Sequence, residues 1–198
     1  MEYSISTHKE TERYKAILQA AERLFVEKGY HGVSIEQIAN AAGVSKGLVH
    51  YHYVNKEQLI VYVVEDVLAK LSTSLDDILK SNETSQTKIR IAIKTYLNLA
   101  NPRLNLARTL LFENVLTENM SKYLASLMEE NTLKLAGLVD DGITKGEFKP
   151  VNSRLVANLI RGAIFELIGE AAIQQREMRS LDELADGITE ILCDGINR

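Results

Sequence analysis

The sequence predicts an all-α protein with an N-terminal three-helix domain and a larger helical domain after it. Three observations predict this class. Apolar residues recur three and four positions apart along most of the 198 residues, which is the period of an amphipathic helix. Pro102 and Pro150 are the only prolines, so few residues break a helix. No segment alternates apolar and polar residues as a half-buried strand does, and about nine helices account for the chain.

The first predicted helix covers residues 9–28 and ends at Gly29, because glycine adopts the left-handed conformation of a helix C-terminus at low cost. Apolar residues at helical spacing form one stripe along it, namely Ile17, Ala20, Ala21, Leu24 and Phe25. That stripe predicts which face of the helix is buried.

Two short helices are predicted next. Ser34 and Gln37 have the spacing of a capping box, in which two side chains satisfy free N–H groups at a helix start. Gly43 predicts a tight turn, and Ser45 caps the helix that follows. Two short helices joined by a glycine turn, after a longer helix, are typical of a helix-turn-helix. We therefore assign residues 1–58 to a helix-turn-helix DNA-binding domain.

Residues 59–198 form a second, larger helical domain in this prediction. The apolar periodicity places the remaining helices at residues 55–80, 85–100, 102–116, 119–145, 152–175 and 180–195. Asn101 is expected to cap the helix that starts at Pro102, because proline is tolerated at the first helical position.

The net charge of −4 excludes a protein that binds any nucleic acid through a uniformly basic surface. The charge is unevenly distributed. Between Gln37 and Lys56 the chain has no acidic residue but carries Lys46, His50 and His52. A local cationic face on an acidic protein is typical of a small, specific DNA footprint.

The sequence also bears on the compartment. No apolar run reaches the roughly 20 residues that a membrane helix needs, and the first residues lack the apolar core of a signal peptide. Cys193 is the only cysteine, which agrees with a reducing compartment. We expect a cytoplasmic protein with no membrane association and no cofactor.

The second of the paired helices in a helix-turn-helix lies in the major groove, where its first residues meet the bases. That helix begins here at Ser45, whose hydroxyl and neighbouring free amides suit a phosphate. Lys46 suits a guanine edge or a phosphate, and Gly47 lets the backbone approach DNA closely. The predicted DNA-binding residues are Ser34, Ser45, Lys46, Gly47, His50, Tyr51, His52 and Lys56.

These residues have structural interpretations as well. Tyr51 taken alone suits the rim of a core, and Lys46 taken alone is a solvated surface lysine. His50 and His52 would suit a metal ion, but no third ligand has helical spacing to them, so no metal site is predicted. An enzyme that used either histidine as a base would need its partner groups gathered in a cleft, and no carboxylate lies near them in sequence.

Small, apolar and aromatic residues extend in one ungapped pattern from about residue 13 to residue 60. The pattern comprises Ile17, Leu18, Ala20, Ala21, Leu24, Phe25, Gly29, Tyr30, Ser34, Ile35, Ile38, Ala39, Ala42, Gly43, Val44, Ser45, Lys46, Gly47, His50, Tyr51, His52, Tyr53, Lys56, Glu57 and Leu59. It resembles the TetR/AcrR family of regulators, which usually has Tyr in place of His50 and Phe in place of Tyr53. The resemblance implies a homodimer with one recognition helix per half-site, and repression relieved by a small ligand.

The last two predicted helices are suited to assembly. The helix at 180–195 has one continuous apolar stripe, whereas the helix at 152–175 is apolar almost all round and must be covered on every side. Gly162 and Gly169 share a face on which a partner helix could come close. We predict a four-helix dimer interface; the alternative is that both helices fill an intrachain core. The predicted interface residues are Leu159, Gly162, Gly169, Leu184, Ile188, Ile191 and Leu192.

A ligand site is expected among the middle helices, because Met and aromatic side chains line adaptable pockets. At helical spacing the same residues are also ordinary core residues. Asn158, Arg161 and Glu166 interrupt an apolar helix, so they either pair within the dimer or orient a ligand. The ligand-binding candidates are Tyr96, Leu97, Phe112, Leu116, Met120, Tyr123, Met128, Arg161, Phe165 and Glu166.

These features and the resemblance together predict a homodimeric repressor, not an enzyme; the resemblance implies that its partners are a double-stranded DNA operator and a small, largely apolar effector. Residues 59–198 are then the ligand-binding and dimerisation domain, and the helix at 55–80 transmits the effector's influence to the DNA-binding domain. The alternative is a ligand-independent activator or an architectural DNA-binding protein.

Overall fold

The computed structural model describes residues 12–178 and 180–196, in which the regular secondary structure is helical apart from one isolated bridge residue, Phe148. The helices are α1 Glu12–Lys28, α2 Ile35–Ala42, α3 Lys46–His52, α4 Lys56–Lys80, α5 Ser85–Ala100, α6 Leu104–Phe112, α7 Glu118–Thr144, α8 Ser153–Gln174 and α9 Leu181–Ile196, with a 3₁₀ turn at Asn101–Arg103. The predicted all-α class is confirmed. The predicted start of the first helix, at residues 9–11, lies outside the described residues.

The chain forms two compact units, Met1–Val64 and Glu65–Arg198. The division falls within α4, so this continuous helix contributes to both units.

The core of the first unit is built from one face of each of its helices. All five residues of the predicted α1 stripe are buried. Ile38 from α2, Val49 from α3 and Leu59 from α4 are each fully buried as well. Burial of this apolar surface is the main stabilising term, since seven- and eight-residue helices are marginal on their own.

The core of the second unit is formed by α5, α7, α8 and α9 together with the second half of α4, which contributes Leu71, Leu75 and Ile78. Its fully buried members include Ile93, Leu97, Leu135 and Ile160. At one end of this core, Gly142 is required by packing, because a Cβ at that position would lie 2.3 Å from the ring of Phe148.

A buried lysine lies near the same end. Lys88 is 1% exposed, and its ammonium donates to the Leu79 carbonyl at 2.8 Å and to Asp141 at 3.1 Å. These two bonds satisfy a charge that would otherwise be expensive to bury. They tie the last turn of α4 to α5 and α7.

The segment around α6 differs from the prediction. A single helix was expected over 102–116, but a 3₁₀ turn precedes α6, and α6 ends at Phe112. Asn114 has a φ of 46°, in the left-handed region that asparagine tolerates, and this conformation ends helical geometry. Asn101 does not cap the turn; its side chain accepts a hydrogen bond from the Met178 N–H at 2.7 Å.

None of the helices described is long and apolar enough to cross a membrane.

Candidate DNA-binding site and effector region

The helix-turn-helix is set by local capping. The Ser34 hydroxyl accepts a hydrogen bond from the Gln37 N–H at 3.2 Å, and the Gln37 side chain accepts one from the Ser34 N–H at 2.8 Å. Both bonds of the predicted capping box are therefore present. The Ser34 hydroxyl is exposed, and its own hydrogen can still be donated to a phosphate.

The turn between α2 and α3 depends on Gly43. Its φ of 68° lies in the left-handed region, where any side chain would be strained. The Gly43 and Val44 N–H groups donate to the Asn40 and Ala39 carbonyls at 3.2 and 3.0 Å. These bonds close the end of α2 and direct the chain into α3.

α3 presents its polar side to solvent. Ser45 is its N-cap, accepting from the Leu48 N–H at 3.2 Å, and Val49 holds the helix against the core. The predicted contact residues that lie exposed on and beside this helix are Ser45, Lys46, Gly47, His50 and Tyr51. Tyr51 is 82% exposed, so its aromatic ring contributes little to packing within this chain.

An aromatic cluster holds the end of α3. Tyr53 is fully buried and stacks on Tyr14, with ring centroids 5.5 Å apart. Tyr62 meets the edge of Tyr53 at 5.4 Å, and His52 lies edge-on to Tyr14 at 6.1 Å. His52 is thus half-buried, unlike the other predicted contacts on α3. Sequence reasoning missed Tyr14, although it lies three residues before Ile17 and so continues the apolar stripe of α1.

Lys56 was predicted to clamp a phosphate, but its ammonium is engaged within the protein. It donates to the Tyr30 carbonyl at 2.9 Å and to the Val33 carbonyl at 3.0 Å. The ammonium also lies 4.0 Å from the centroid of the Tyr30 ring. Burial lowers the pKa of Lys56. The geometry makes Lys56 a residue that positions the loop between α1 and α2.

Tyr30 is fixed from its other end. Its hydroxyl donates to Glu57 at 2.9 Å, and burial together with this carboxylate raises the pKa of Tyr30. Lys56 and Glu57 therefore join the first turn of α4 to the loop in front of α2. Three hydrogen bonds thus fix the position of this loop relative to the first turn of α4.

The candidate effector residues differ widely in exposure. Leu97 and Met120 are buried, Tyr96, Leu116, Tyr123 and Met128 are half-buried, and Phe112, Arg161, Phe165 and Glu166 are exposed. Burial raises the pKa of Tyr96 to about 12, and the nearby Arg161 guanidinium opposes this shift. Leu97 is part of the main core, and Tyr96 packs against it.

The predicted interface residues lie on α8 and α9 and differ in exposure. Leu159 is 55% exposed and Ile191 is 77% exposed. A Cβ added at Gly162 or Gly169 would meet no atom of this chain within 4 Å. Leu184, Ile188 and Leu192 are half-buried and also pack against the core. Phe165, proposed for the ligand site, is 46% exposed on α8 as well.

No group of three His, Cys, Asp or Glu side chains that could hold a metal ion occurs among residues 12–178 and 180–196.

Known proteins resemble this chain both in the helix-turn-helix segment and over most of its length. Residues 17–63 match the family model described as bacterial regulatory proteins, tetR family. The fatty acid metabolism regulator protein of Bacillus subtilis strain 168 is 24% identical over 187 residues, which cover 93% of this chain and 96% of the relative. The transcriptional regulator RutR of Escherichia coli O157:H7 is 33% identical over 135 residues, which cover 65% of this chain and 62% of RutR.

Two solved structures have the same fold. The regulator FadR from Bacillus subtilis, in complex with stearoyl-CoA, matches with a TM-score of 0.78 at 24% identity, over 93% of this chain and all (100%) of FadR. AibR, in complex with isovaleryl coenzyme A and operator DNA, matches with a TM-score of 0.67 at 21% identity, over 91% of this chain and 97% of AibR.

Proposed function

We propose that the chain is a homodimeric repressor of the TetR type, and that an acyl-CoA releases it from its operator. The observation that carries the DNA-binding part is the exposed face of α3. It combines a capped N-terminus, Lys46, His50 and a solvent-exposed Tyr51 in a segment without any carboxylate.

In this proposal, α3 enters the major groove and its first turn reads the bases. Lys46 reaches a base edge or a phosphate, since its side chain is exposed and belongs to the first residue of the helix. Ser34 and Ser45 donate their hydroxyl hydrogens to phosphates while their oxygens keep capping the helices. Tyr51 adds a phosphate contact through its hydroxyl.

The dimer forms through α8 and α9. An apolar side chain such as Leu159 that is more than half exposed gains stability when a partner covers it. The open space beside Gly162 and Gly169 admits a helix at close range. Two copies then present two recognition helices roughly 34–36 Å apart, one helical turn of DNA.

The effector class is proposed from the relatives. One relative is a fatty acid metabolism regulator, and two proteins of the same fold bind stearoyl-CoA and isovaleryl coenzyme A. An acyl chain is apolar and suits the buried and half-buried candidates Leu116, Met120 and Met128. The effector binds the DNA-incompetent arrangement better and so shifts the population toward it.

α4 is the proposed path of this influence, because it contributes residues to both units. Its first turn carries Lys56 and Glu57, which hold the loop in front of α2. A small shift of α4 therefore moves the helix-turn-helix. A regulator acts where the chromosome is, so we place the protein in the cytoplasm.

The test is release from DNA. Operator sequences are selected from a random DNA pool by the purified protein, and binding is measured by fluorescence anisotropy as palmitoyl-CoA is added. We expect operator affinity to fall by about 5- to 150-fold, the usual size of such coupling. Free coenzyme A and palmitate serve as controls. DNA binding that no acyl-CoA weakens would contradict the effector proposal, and absence of any selected sequence would contradict the DNA proposal.

A further inference from the structure

Two acceptor atoms are buried between α4 and α7 without a partner. They are Oε2 of Glu65 and Oδ1 of Asn131, and neither has a hydrogen bond to any of residues 12–178 and 180–196. Buried polar atoms in native proteins are almost always paired, so each orphan needs an explanation. Both lie in the second unit.

The orientation of the Asn131 amide is settled by its neighbours. Its Nδ2 donates to the Leu68 carbonyl of α4 and to the Leu127 carbonyl of α7, each at 3.3 Å. Carbonyl oxygens only accept, so the nitrogen must face them and the oxygen must face elsewhere. Asn131 is 3% exposed, so solvent does not satisfy that oxygen either.

Glu65 is half satisfied. The Tyr123 hydroxyl donates to its carboxylate, which lowers the pKa, but burial raises the pKa by more. The second carboxylate oxygen remains without a donor. Glu65 and Leu68 are one turn apart on α4, and Tyr123 and Asn131 are two turns apart on α7. Both acceptors therefore lie along the line of contact between α4 and α7, which we call the α4–α7 seam.

The polar side chains in the next stretch of the α4–α7 seam have hydrogen-bond partners. Further along, Lys134 of α7 donates to Asp76 at 2.6 Å and to the Ser72 hydroxyl at 2.7 Å, both on α4. Both unpartnered acceptors lie on the side of Lys134 that leads toward Met120 and Leu124, two buried apolar residues of α7. Each of these two atoms can accept a hydrogen bond from a donor outside the described residues.

We propose that Glu65 and Asn131 form a polar subsite that accepts an amide N–H from the pantetheine arm of the acyl-CoA. The inference rests on the proposed function, because it names the part of that effector which α4 and α7 recognise. The pantetheine arm is neutral and carries amide N–H donors, whereas the acyl chain has none. A fatty acid carboxylate has only acceptor atoms, so it offers no hydrogen to Glu65 or Asn131.

The subsite also links binding of the ligand to the position of α4. Glu65 and Leu68 belong to α4, so a donor bound between α4 and α7 acts directly on the helix that also contributes to the DNA-binding unit. Filling two orphaned acceptors favours the arrangement in which they face the ligand.

The ligand-side test needs no variant. Binding of the dodecanoyl thioester of N-acetylcysteamine to the full chain is measured by calorimetry against its N-methyl amide analogue. The pair differs at one position, where a methyl group replaces the amide hydrogen, and the variants described next separate the loss of the hydrogen bond from the added bulk. We expect the N-methylated compound to bind about 5- to 100-fold more weakly, because a buried acceptor is left unpaired. Equal affinity would mean that the acceptors are satisfied by ordered water, and it would overturn the inference.

The protein-side test uses matched variants. Asn131→Leu and Glu65→Met remove one acceptor each at similar size, while Glu130→Met makes the same chemical change at the exposed neighbour on α7. We expect the preference for the N–H compound to shrink in the first two variants and to stay in Glu130→Met. An undiminished preference in both subsite variants would overturn the assignment.

The two proposals fail in distinguishable ways. If the wild-type chain binds no acyl thioester and no acyl-CoA, the effector class is wrong and the subsite is wrong with it. If the chain binds acyl-CoA but does not distinguish the two amides, only the subsite is wrong.

Discussion

At the scale of single residues, exposure separates the proposed DNA contacts from residues whose side chains are bound within the protein. Lys46 and Tyr51 are exposed on α3, whereas Lys56 is occupied by two carbonyls and a tyrosine ring. Two lysines ten positions apart thus have different environments, which their residue type does not reveal. The ammonium of Lys56 is bound to its own chain, and that of Lys46 faces solvent.

Lys46→Ala tests the DNA-facing role. We expect weaker operator binding by about 1–3 kcal/mol if Lys46 contacts a base edge, with a loss of sequence preference at that position. If it contacts a phosphate, the salt dependence of binding becomes shallower by about one unit of slope. Fluorescence anisotropy over a salt series measures both.

The control for Lys46→Ala is Lys80→Ala, which removes an exposed lysine from the far end of α4. Its operator affinity should match the wild type. Unchanged affinity and unchanged salt slope in Lys46→Ala would contradict a DNA contact by this residue.

At the scale of elements, an ionic tie joins the ends of three helices. Asp141 of α7 accepts from Lys88 of α5 at 3.1 Å and from Lys145 at 2.7 Å, while Lys88 also caps the end of α4. The Lys145 and Lys88 ammonium groups lower the pKa of Asp141. A carboxyl group with a lowered pKa stabilises the folded state above its unfolded pKa, and this contribution is lost as pH falls through the folded value.

Asp141→Asn should therefore be less stable than the wild type near neutral pH. The difference in free energy of unfolding should shrink as pH falls below about 3.9, the usual pKa of an unfolded Asp. Urea unfolding from pH 7 to pH 3 at fixed protein concentration measures it. Asp140→Asn, at the exposed neighbour, is the control and should show a smaller effect. A difference that is constant with pH would contradict the ionic tie.

At the scale of the whole molecule, the exposed apolar face of α8 and α9 makes a dimer the expected assembly. Leu159→Glu places a charge where a partner should cover an apolar side chain, and burying an unpaired charge is costly. We expect this variant to be monomeric at micromolar concentration and to lose operator affinity, since one subunit reads one half-site. Light scattering coupled to size exclusion measures the mass.

Leu133→Glu is the matched control, because Leu133 is also about half exposed, at 51%, but lies on α7. This variant should remain a dimer. A dimeric Leu159→Glu variant, or loss of the dimer in both variants, would contradict an interface through α8 and α9.

The sequence by itself determined the elements governed by local interactions. The Ser34 capping box, the Gly43 turn and the buried stripe of α1 depend on residues within a few positions of one another. Hydrogen bonds of this kind and helical periodicity are readable from spacing alone. The all-α class and the helix-turn-helix followed from them. The end of α6 did not, because Asn114 adopts a left-handed backbone that asparagine permits but does not require.

Only the tertiary structure decided which polar side chains have hydrogen-bond partners within the protein and which have an unpaired atom. Lys56 meets carbonyls more than twenty residues away in sequence, Lys88 meets Asp141 across two helices, and Asn131 leaves one oxygen unpaired beside α4. These outcomes depend on contacts between residues far apart in the chain, and no periodicity encodes them. The physical reason is that a side chain's partner is set by packing, whereas a helix's cap is set by its neighbours.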